Sequence, residues 1–281
     1  MVKDLKYLLA KHGLTLKKAF GQNFLSDENL LVKIAESSGV TDSDTVLEIG
    51  CGAGTLTREL AKRVKKVVGY EIDARLKPVL CETLAGFNNV QIVYKDIMKE
   101  GVKAVENLLG GEYFLVANLP YYLTTPIVMG FLENSSLLKS MTVMVQEEVA
   151  DRFCALPASN DYGAVTVGIN LRGSAKKTIS VPREKFTPVP NVDSAVVRID
   201  IEKDKFSGAD LKAVRNCVRV AFTSRRKTLV NNLINGFNIP RSLAEEALIK
   251  AEIPVLARGE TLSAQDYIRL TDCLKNFGLS V

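Results

Sequence analysis

Residues 118–121, with the sequence Asn-Leu-Pro-Tyr, carry residue types that can hold a planar ring bearing an exocyclic amine. They follow a short apolar run, residues 114–117, that is typical of a buried strand, and Pro120 must end that strand. The Asn118 side-chain oxygen and the next backbone carbonyl can accept the two N–H bonds of such an amine, while Tyr121 can stack on the ring. Asn and Pro also favour turns, so an ordinary turn is the alternative interpretation.

The first half of the chain also contains a nucleotide-binding pattern. A strand pattern at residues 45–49 is followed at once by the glycine-rich turn 50–54 (Gly-Cys-Gly-Ala-Gly) and by a helical pattern. A second strand, residues 66–70, ends in Glu71, whose carboxylate can accept bonds from both hydroxyls of a ribose. Dinucleotide sites use G-x-G-x-x-G, whereas here a G-x-G-x-G turn follows Glu48. The pattern therefore favours a nucleoside ligand with a cationic end over NAD.

Further strand patterns extend this unit into an α/β fold. A third strand at residues 90–94 ends near Asp96, which could accept a bond from an adenine amino group or simply initiate a turn. The strand ending at residue 118 is the fourth, and residues 141–145 predict a fifth. Residues 177–181 and 194–201 predict two antiparallel strands. Because the carboxyl ends of parallel strands share one edge of a sheet, the polar residues at these ends are expected to lie together.

Two segments between these strands allow more than one interpretation. Residues 162–171 are rich in β-branched residues, which favour a strand, yet their apolar spacing also fits a helix. The loop at residues 182–190 contains three prolines and presents Phe186 as its one large ring. An exposed ring on a stiff loop is a candidate second stacking face. The alternative is that Phe186 anchors the loop to the core.

The β pattern stops at about Lys203, and the remainder of the chain predicts a small helical domain. Helices are expected at residues 210–222, 224–234, 242–251 and 263–277, the last with a capping box between Ser263 and Asp266. We therefore expect one domain at residues 1–203, with a basic N-terminal arm at residues 1–25, and a second at residues 204–281.

Charge and composition restrict the function classes. The formal net charge is +5, and basic residues cluster at Lys176, Lys177, Arg183 and Lys185 and again at Arg215, Arg219, Arg225, Arg226 and Lys227. Such clusters are either solvated faces or a contact surface for a polyanion such as nucleic acid. The single histidine and five widely spaced cysteines disfavour a zinc hydrolase or a histidine triad. No apolar run approaches the ~20 residues of a membrane span, and no signal peptide is evident, so we expect a cytosolic protein.

With these motifs in hand, the chain resembles the ribosomal RNA adenine N6,N6-dimethyltransferases, specifically the branch that modifies small-subunit (16S) RNA. The resemblance covers nearly the whole sequence. It rests on residues 21–25 (Gly-Gln-Asn-Phe-Leu), 48–54 (Glu-Ile-Gly-Cys-Gly-Ala-Gly), 118–121, 186–194 and 225–229 (Arg-Arg-Lys-Thr-Leu). The loop at 186–194 departs slightly, with Val189 and Asn191 where members often carry Pro and Lys. Leu119 and Tyr121 favour this branch over the erythromycin-resistance enzymes, which favour Ile and Phe around the proline.

The resemblance implies a class I S-adenosylmethionine-dependent methyltransferase fold, Rossmann-like, with a small all-helical C-terminal domain. It implies catalytic roles for Asn118, Leu119, Pro120, Tyr121 and Phe186. It implies S-adenosylmethionine binding by Asn23, Leu25, Gly50, Gly52, Glu71, Ile72, Asp96, Ile97 and Asn118. RNA contacts are expected at Arg183, Lys185, Arg225, Arg226 and Lys227. No metal is expected.

The expected reaction is methyl transfer from S-adenosylmethionine to N6 of two adjacent adenines near the 3′ end of 16S RNA, with S-adenosylhomocysteine as the second product. The expected partner is an immature small ribosomal subunit, and the expected state is a monomer without membrane contact. Two alternatives remain: methylation of large-subunit (23S) RNA, as in the erythromycin-resistance enzymes, and a nucleic-acid-binding assembly factor on the same fold.

Overall fold

The computed structural model describes residues 5–14, 24–25, 27–279 and 281, and these residues form two units. The first unit comprises Met1–Ala150 and Ala175–Ile201, and the second comprises Asp151–Ser174 and Glu202–Val281. The division differs from the expected boundary in one segment, because residues 151–174 group with the C-terminal helices. The second unit is therefore discontinuous in sequence.

Nine strands occur in the described residues. They are β1 (Phe24–Leu25), β2 (Thr45–Ile49), β3 (Lys66–Tyr70), β4 (Val90–Val93), β5 (Tyr113–Asn118), β6 (Leu138–Gln146), β7 (Gly173–Val181), β8 (Phe186–Thr187) and β9 (Ser194–Ile201). β1 and β8 form a two-stranded antiparallel pair, and the other seven form one sheet in the order β4-β3-β2-β5-β6-β9-β7. Every strand predicted from the sequence is confirmed, with its ends shifted by no more than a few residues.

The sheet order creates a topological switch between β2 and β5. β2 pairs with β3 on one side and with β5 on the other, all parallel, and β5 pairs in parallel with β6. The chain thus winds outward to β3 and β4 on one side and to β6 on the other. Open α/β sheets bind ligands at the carboxyl ends of strands where this reversal occurs. β9 is antiparallel to β6 and extends the sheet beyond the parallel strands.

Helices connect these strands and build the second unit. They are α1 (Leu5–Lys11), α2 (Glu28–Ser37), α3 (Thr55–Ala61), α4 (Lys77–Thr83), α5 (Ile97–Glu100), α6 (Val102–Leu109), α7 (Thr124–Asn134), α8 (Glu147–Phe153), α9 (Ala164–Asn170), α10 (Leu211–Ala221), α11 (Leu229–Phe237), α12 (Arg241–Lys250) and α13 (Ala264–Asn276). None of the described helices is both long and apolar enough to span a bilayer.

The ambiguous segment at residues 162–171 is helical in the structure. Val167 and Leu171, four positions apart and hence on one helix face, are buried together with Tyr162 in the apolar core of the second unit. The Tyr162 hydroxyl donates to the Leu262 carbonyl, and that of Thr166 donates to the Arg152 carbonyl. The buried contacts of residues 162, 167 and 171 and the bond to Leu262 explain why residues 151–174 belong with the C-terminal helices, while the bond to Arg152 holds the segment itself together.

The C-terminal helices agree with the sequence pattern except at the start of α11. The capping box before α13 is confirmed, since the Ser263 hydroxyl accepts from the Asp266 backbone and the Asp266 carboxylate accepts from the Ser263 backbone. The expectation that the second helix begins at Ser224 is wrong. α11 begins at Leu229, so the basic residues 225–227 lie in the loop between α10 and α11.

Candidate active site

A pocket lies at the carboxyl edge of the parallel strands in the first unit. The cofactor residues expected from the sequence that line it are Leu25, Gly50, Gly52, Glu71, Ile72, Asp96, Ile97 and Asn118. Asn23 lies outside the described residues. Leu119, Pro120 and Tyr121 line the same pocket. Residues that are far apart in sequence are therefore brought together by the strand order.

The glycine-rich turn after β2 brings the backbone close to its neighbours. Gly52 has a φ of 55°, and a Cβ at this position would lie 2.8 Å from Cε1 of Phe24. Any side chain at residue 52 would therefore be strained and would collide with the Phe24 ring. Gly50, also at positive φ, approaches the Asn118 carbonyl, so the end of β2 and the end of β5 lie side by side. The turn thus lets the Phe24 ring and the Asn118 carbonyl lie directly against its backbone.

Glu71, which follows β3, is held in place by the same turn. Its Oε2 accepts a 2.8 Å bond from the Gly52 backbone N–H, and its Oε1 accepts a 2.8 Å bond from the Asp73 N–H. Burial raises the pKa of Glu71 above its ordinary value, while the two backbone bonds act in the opposite direction. Each carboxylate oxygen has two lone pairs, so both can still accept a bond from a ligand hydroxyl. This geometry fits a ribose.

Glu48 is a second carboxyl in the pocket wall, only 1% exposed. Its Oε2 has no hydrogen-bond partner within the described part of the protein. Burial raises the pKa of Glu48 to about 8, and the nearby charge of Glu71 adds to this effect. A buried carboxyl oxygen without a partner fits a ligand that has a cationic end, because such an oxygen is costly unless it is bonded.

Asp96 combines the two roles that the sequence left open. Its Oδ1 accepts a 3.0 Å bond from the Met98 backbone N–H and so caps α5. The residue also lines the pocket, beside Lys95 and Ile97. Asp96 is therefore both a turn residue and a candidate contact for an amino group of a ligand.

The Asn-Leu-Pro-Tyr motif lies where the sequence predicts it, at the end of β5. Leu119 is buried, and Pro120 adopts an extended conformation (φ −57°, ψ 131°) before a short 3₁₀ turn at Tyr121–Leu123. The Pro120 carbonyl accepts from the Leu123 N–H, which fixes this turn. The Tyr121 hydroxyl lies 2.9 Å from the Ser194 hydroxyl and is hydrogen-bonded to it. Burial raises the pKa of Tyr121, and the bond to Ser194 partly offsets that shift.

The expectation that Phe186 is an exposed ring is wrong. Phe186 lies in β8, pairs with Leu25 of β1 and is only 2% exposed. Its ring belongs to an apolar cluster that includes Val181 and Val196. It does not line the pocket. The aromatic side chain is buried because the antiparallel pairing of β1 and β8 turns it inward, and this pairing could not be inferred from the loop sequence.

The basic residues expected to bind RNA lie on both units. In the first unit, Lys185 forms a 2.7 Å ion pair with Asp27, which lowers the pKa of Asp27, and Arg183 donates to Glu184 and to the Asn191 carbonyl. In the second unit, Arg225 donates to the Asn160 carbonyl, and residues 226 and 227 lie in the same exposed loop.

Several residues that line the pocket were not expected from the sequence. They are Phe24, Cys51, Thr55, Leu56, Tyr70, Lys95, Tyr122, Leu123, Ile127 and Met144, together with the α2 residues Leu31 and Ile34. Tyr122 could have been found from its place beside the motif, and its side chain is 63% exposed. Met144 could not, because only the pairing of β5 with β6 sets it opposite Asn118.

Comparison with known proteins gives a consistent result. The family described as "Ribosomal RNA adenine dimethylase" matches residues 13–275. A protein of Shouchella clausii (strain KSM-K16) named "Ribosomal RNA small subunit methyltransferase A" is 45% identical over 273 residues, covering 95% of this chain and 92% of its own. A protein of the same name from Bacillus licheniformis is 44% identical over 279 residues, covering 96% of this chain and 95% of its own.

Two solved structures resemble the whole fold. A dimethyladenosine transferase from Plasmodium falciparum superposes with a TM-score of 0.79 at 25% identity, covering 91% of this chain and 98% of its own. The 23S rRNA methyltransferase ErmE superposes with a TM-score of 0.69 at 31% identity, covering 90% of this chain and all of its own. The expected α/β methyltransferase fold is therefore confirmed.

Proposed function

We propose the following substrate for this enzyme, which belongs to the ribosomal RNA adenine dimethylase family. It is an S-adenosylmethionine-dependent methyltransferase that dimethylates adenine in ribosomal RNA. The proposed target is N6 of two adjacent adenines near the 3′ end of the small-subunit RNA. The observation that carries the proposal is the position of Asn118 and Tyr121 at the end of β5, in one pocket with Glu48 and Glu71.

The pocket residues divide into those that suit the nucleoside part of the cofactor and those that suit its charged end. S-adenosylmethionine, when bound, supplies an activated methyl group on a positively charged sulfur. Glu71 would accept the ribose hydroxyls and Asp96 the adenine amino group. Glu48, a buried carboxyl with an unpartnered oxygen, would face the cationic part. Gly50 and Gly52 would keep the wall of the site free of side chains.

The target adenine would enter the pocket turned out of its RNA stack, because the amine of a stacked base cannot reach residues at the bottom of a cleft. Tyr121 would stack on the base, a contact worth roughly 1–3 kcal/mol per base. Asn118 Oδ1 and the Leu119 carbonyl would accept bonds from the N6 amine. Pro120 has a fixed φ and no backbone N–H, so the chain leaves β5 directly after these two residues and Pro120 cannot compete as a donor for either acceptor.

The N6 lone pair of adenine is delocalised into the ring, so the free amine is a poor nucleophile. Hydrogen bonds to Asn118 and Leu119 would favour a more pyramidal nitrogen, with its lone pair directed out of the ring plane. Positive charge develops on N6 during transfer, and the same two acceptors would stabilise that charge. A strong base is not needed, because the alkylated nitrogen is acidic enough to lose its proton to water.

The small-subunit assignment is supported by the names of the curated relatives and by the motif itself. Relatives at 41–45% identity carry the name "Ribosomal RNA small subunit methyltransferase A". The residue types at positions 119 and 121, Leu and Tyr, also match those of the small-subunit branch. ErmE, whose name refers to 23S RNA, is 31% identical, so methylation of large-subunit RNA is the second candidate.

The proposal extends to partner and location. Arg183, Lys185 and residues 225–227 would contact RNA phosphates, and the RNA would be presented within an immature small subunit. An enzyme with this substrate would work in the cytoplasm as a monomer. A second role as an assembly factor that binds the subunit is compatible with the same residues, although the intact Asn118, Tyr121 and Glu71 argue against a binding role alone.

Transfer of labelled methyl groups to ribosomal subunits tests the substrate. Small subunits that lack adenine methylation would be compared with fully methylated small subunits and with large-subunit RNA. Label recovered as N6,N6-dimethyladenine only from the unmethylated small subunits would support the proposal. Label in large-subunit RNA would overturn the small-subunit assignment, and tight subunit binding without label would favour an assembly factor.

Asn118→Ala tests the catalytic role of the motif. We expect nearly complete loss of transfer, by at least 100-fold, because one of the two acceptors that stabilise charge on N6 is removed. S-adenosylhomocysteine binding, measured by calorimetry, should stay within a few-fold of the wild type. Loss of cofactor affinity with normal turnover at saturating cofactor would instead assign Asn118 to cofactor binding.

A further inference from the structure

The Tyr121 ring that lines the pocket is tied at its far end to a residue of another strand. The Tyr121 and Ser194 hydroxyls are 2.9 Å apart, although the residues are 73 positions apart in sequence. Ser194 is fully buried, whereas Tyr121 is only partly buried. A buried hydroxyl requires a hydrogen-bond partner, and Tyr121 provides it. The bond therefore joins the end of β5 to the start of β9.

Ser194 is itself held firmly by the surrounding backbone. It pairs with Gln146 at the end of β6, and the carbonyl of the preceding residue, Asp193, accepts a 3.1 Å bond from the Glu147 N–H. The Asp193 carboxylate accepts a 2.9 Å bond from the Arg183 N–H at the other end of the 182–193 loop. The position of the Ser194 hydroxyl is thus fixed by the sheet on one side and by the closed loop on the other.

A bond at this place constrains the ring in a specific way. The phenolic oxygen lies at the end of the side chain, so anchoring it fixes the direction of the whole ring from Cβ outward. The phenolic O–H prefers the plane of the ring, so the bond also favours one tilt of the ring face. Phe186, the one aromatic side chain of the 182–193 loop, does not serve as a stacking face, because it is buried away from the pocket. The orientation of Tyr121 then sets the plane of any base stacked on it.

We infer that Ser194 is a positioning residue for methyl transfer, which acts by hydrogen-bonding the Tyr121 hydroxyl and thereby orienting the ring against which the target adenine stacks. This inference rests on the proposed function for the nature of the stacked base. The role of Ser194 is distinct from that of Asn118, because Asn118 lines the pocket and Ser194 does not.

A double-mutant cycle with Ser194→Ala and Tyr121→Phe tests the inference. Each single variant removes the bond but keeps the ring, and we expect kcat to fall roughly tenfold in each, since small misorientation of reacting groups costs this much or more. The double variant should lose no more than either single variant, because both remove the same interaction. The affinity for S-adenosylhomocysteine, measured by calorimetry, should not change.

Tyr113→Phe is the matched control. The Tyr113 hydroxyl lies 3.0 Å from the Ser135 hydroxyl, so this variant removes a buried bond of the same type at a tyrosine that does not line the pocket. We expect it to lower the melting temperature about as much as Ser194→Ala while leaving kcat unchanged. If Ser194→Ala keeps kcat within twofold of the wild type, or if the losses of the two single variants multiply in the double variant, the inference is wrong.

The same assay separates this inference from the proposed substrate. All variants would be measured on small-subunit RNA and on large-subunit RNA. If the wild type methylates only large-subunit RNA, the small-subunit proposal fails, and the cycle measured on that RNA still supports or overturns the role of Ser194.

Discussion

At the scale of single residues, the two glutamates that line the pocket, Glu48 and Glu71, have different surroundings. Glu71 accepts two backbone bonds, whereas Glu48 Oε2 has no partner within the described residues. Complete burial raises the pKa of Glu48 to about 8, although the nearby Thr57 hydroxyl and Cys51 thiol act in the opposite direction. This shift favours the protonated form of Glu48 at neutral pH in the protein without its cofactor.

This protonation predicts a pH-dependent stability. The unfolded chain loses the Glu48 proton near the ordinary pKa of 4.5, whereas the folded protein keeps it to about pH 8. Unfolding therefore releases a proton between these values, and the free energy of unfolding falls as pH rises through this window. Glu48→Gln removes the titration. The free energy of unfolding of Glu48→Gln, taken relative to that of the wild type, should rise by on the order of a few kcal/mol from pH 5 to pH 8. It would be measured by denaturant unfolding of the cofactor-free protein.

Glu36→Gln, at an exposed position of α2, is the control for the loss of one carboxyl group. The difference in the free energy of unfolding between this variant and the wild type should be nearly the same at pH 5 and at pH 8. A constant difference for Glu48→Gln as well would mean that Glu48 is ionised in the folded protein.

Phe186 gives a second prediction at the residue scale. Because its ring is 2% exposed among Leu25, Val181 and Val196, Phe186→Ala should destabilise the protein by about 3–5 kcal/mol, as is usual when a buried aromatic ring is removed. Phe186→Leu should cost much less, since it keeps most of the apolar volume. Both would be measured by urea unfolding. A large loss of kcat in Phe186→Ala without loss of stability would restore the ring to a stacking role.

The polar residues and glycines of the candidate site could mostly be predicted from the sequence, because they follow directly after strand patterns. Gly50, Glu71, Asp96 and Asn118 each lie at or just beyond a strand end, and parallel strands bring such ends together. The burial of Phe186 and the bond between Tyr121 and Ser194 depend on which strands pair across long separations. Local sequence patterns carry no information on such pairing.

At the scale of elements, the basic residues 225–227 lie in a loop rather than on a helix. Three loops of the second unit meet here, because Arg225 donates to the Asn160 carbonyl, the Leu229 N–H donates to the Ala257 carbonyl, and the Ala158 N–H donates to the Glu260 carbonyl. Arg225 therefore anchors the loop, while residues 226 and 227 extend from it. The prediction that a helix begins at Ser224 was wrong because residues 223–228 form turns before α11 begins.

This arrangement predicts different effects for neighbouring arginines. Arg226→Ala should weaken RNA binding and reduce the slope of log affinity against log salt by about 1, as expected for one lost phosphate contact. Arg225→Ala should also lower the melting temperature, because it frees the loop. Binding would be measured by filter retention of small-subunit RNA at several salt concentrations.

Arg241→Ala is the matched control, since Arg241 also lies in the second unit but pairs with Glu245 and Asn231 on α12 and α11. Its salt slope should equal that of the wild type. An unchanged slope in Arg226→Ala would exclude Arg226 as a phosphate contact.

At the scale of the whole molecule, neither of the two units is formed by one continuous stretch of the sequence. Residues 151–174 interrupt the first unit. The second unit is built from these residues together with residues 202–281. Sequence patterns placed the boundary near residue 203 because the β pattern stops there, and they could not assign residues 162–171 to a helical core. The order of the seven strands of the large sheet along the chain, by contrast, could be predicted from the sequence pattern.

The discontinuous second unit constrains how such enzymes can be recombined. Tyr162, Val167 and Leu171 contribute to the core formed by α10, α11, α12 and α13, so these parts must fit one another in volume and shape. A hybrid that takes only residues 202–281 from a relative would place a foreign set of helices against this segment. Exchange of the whole second unit between relatives therefore requires replacement of two separate stretches, residues 151–174 and residues 202–281. Among relatives, we therefore expect residues of one stretch to covary with residues of the other, rather than only with residues of the same stretch.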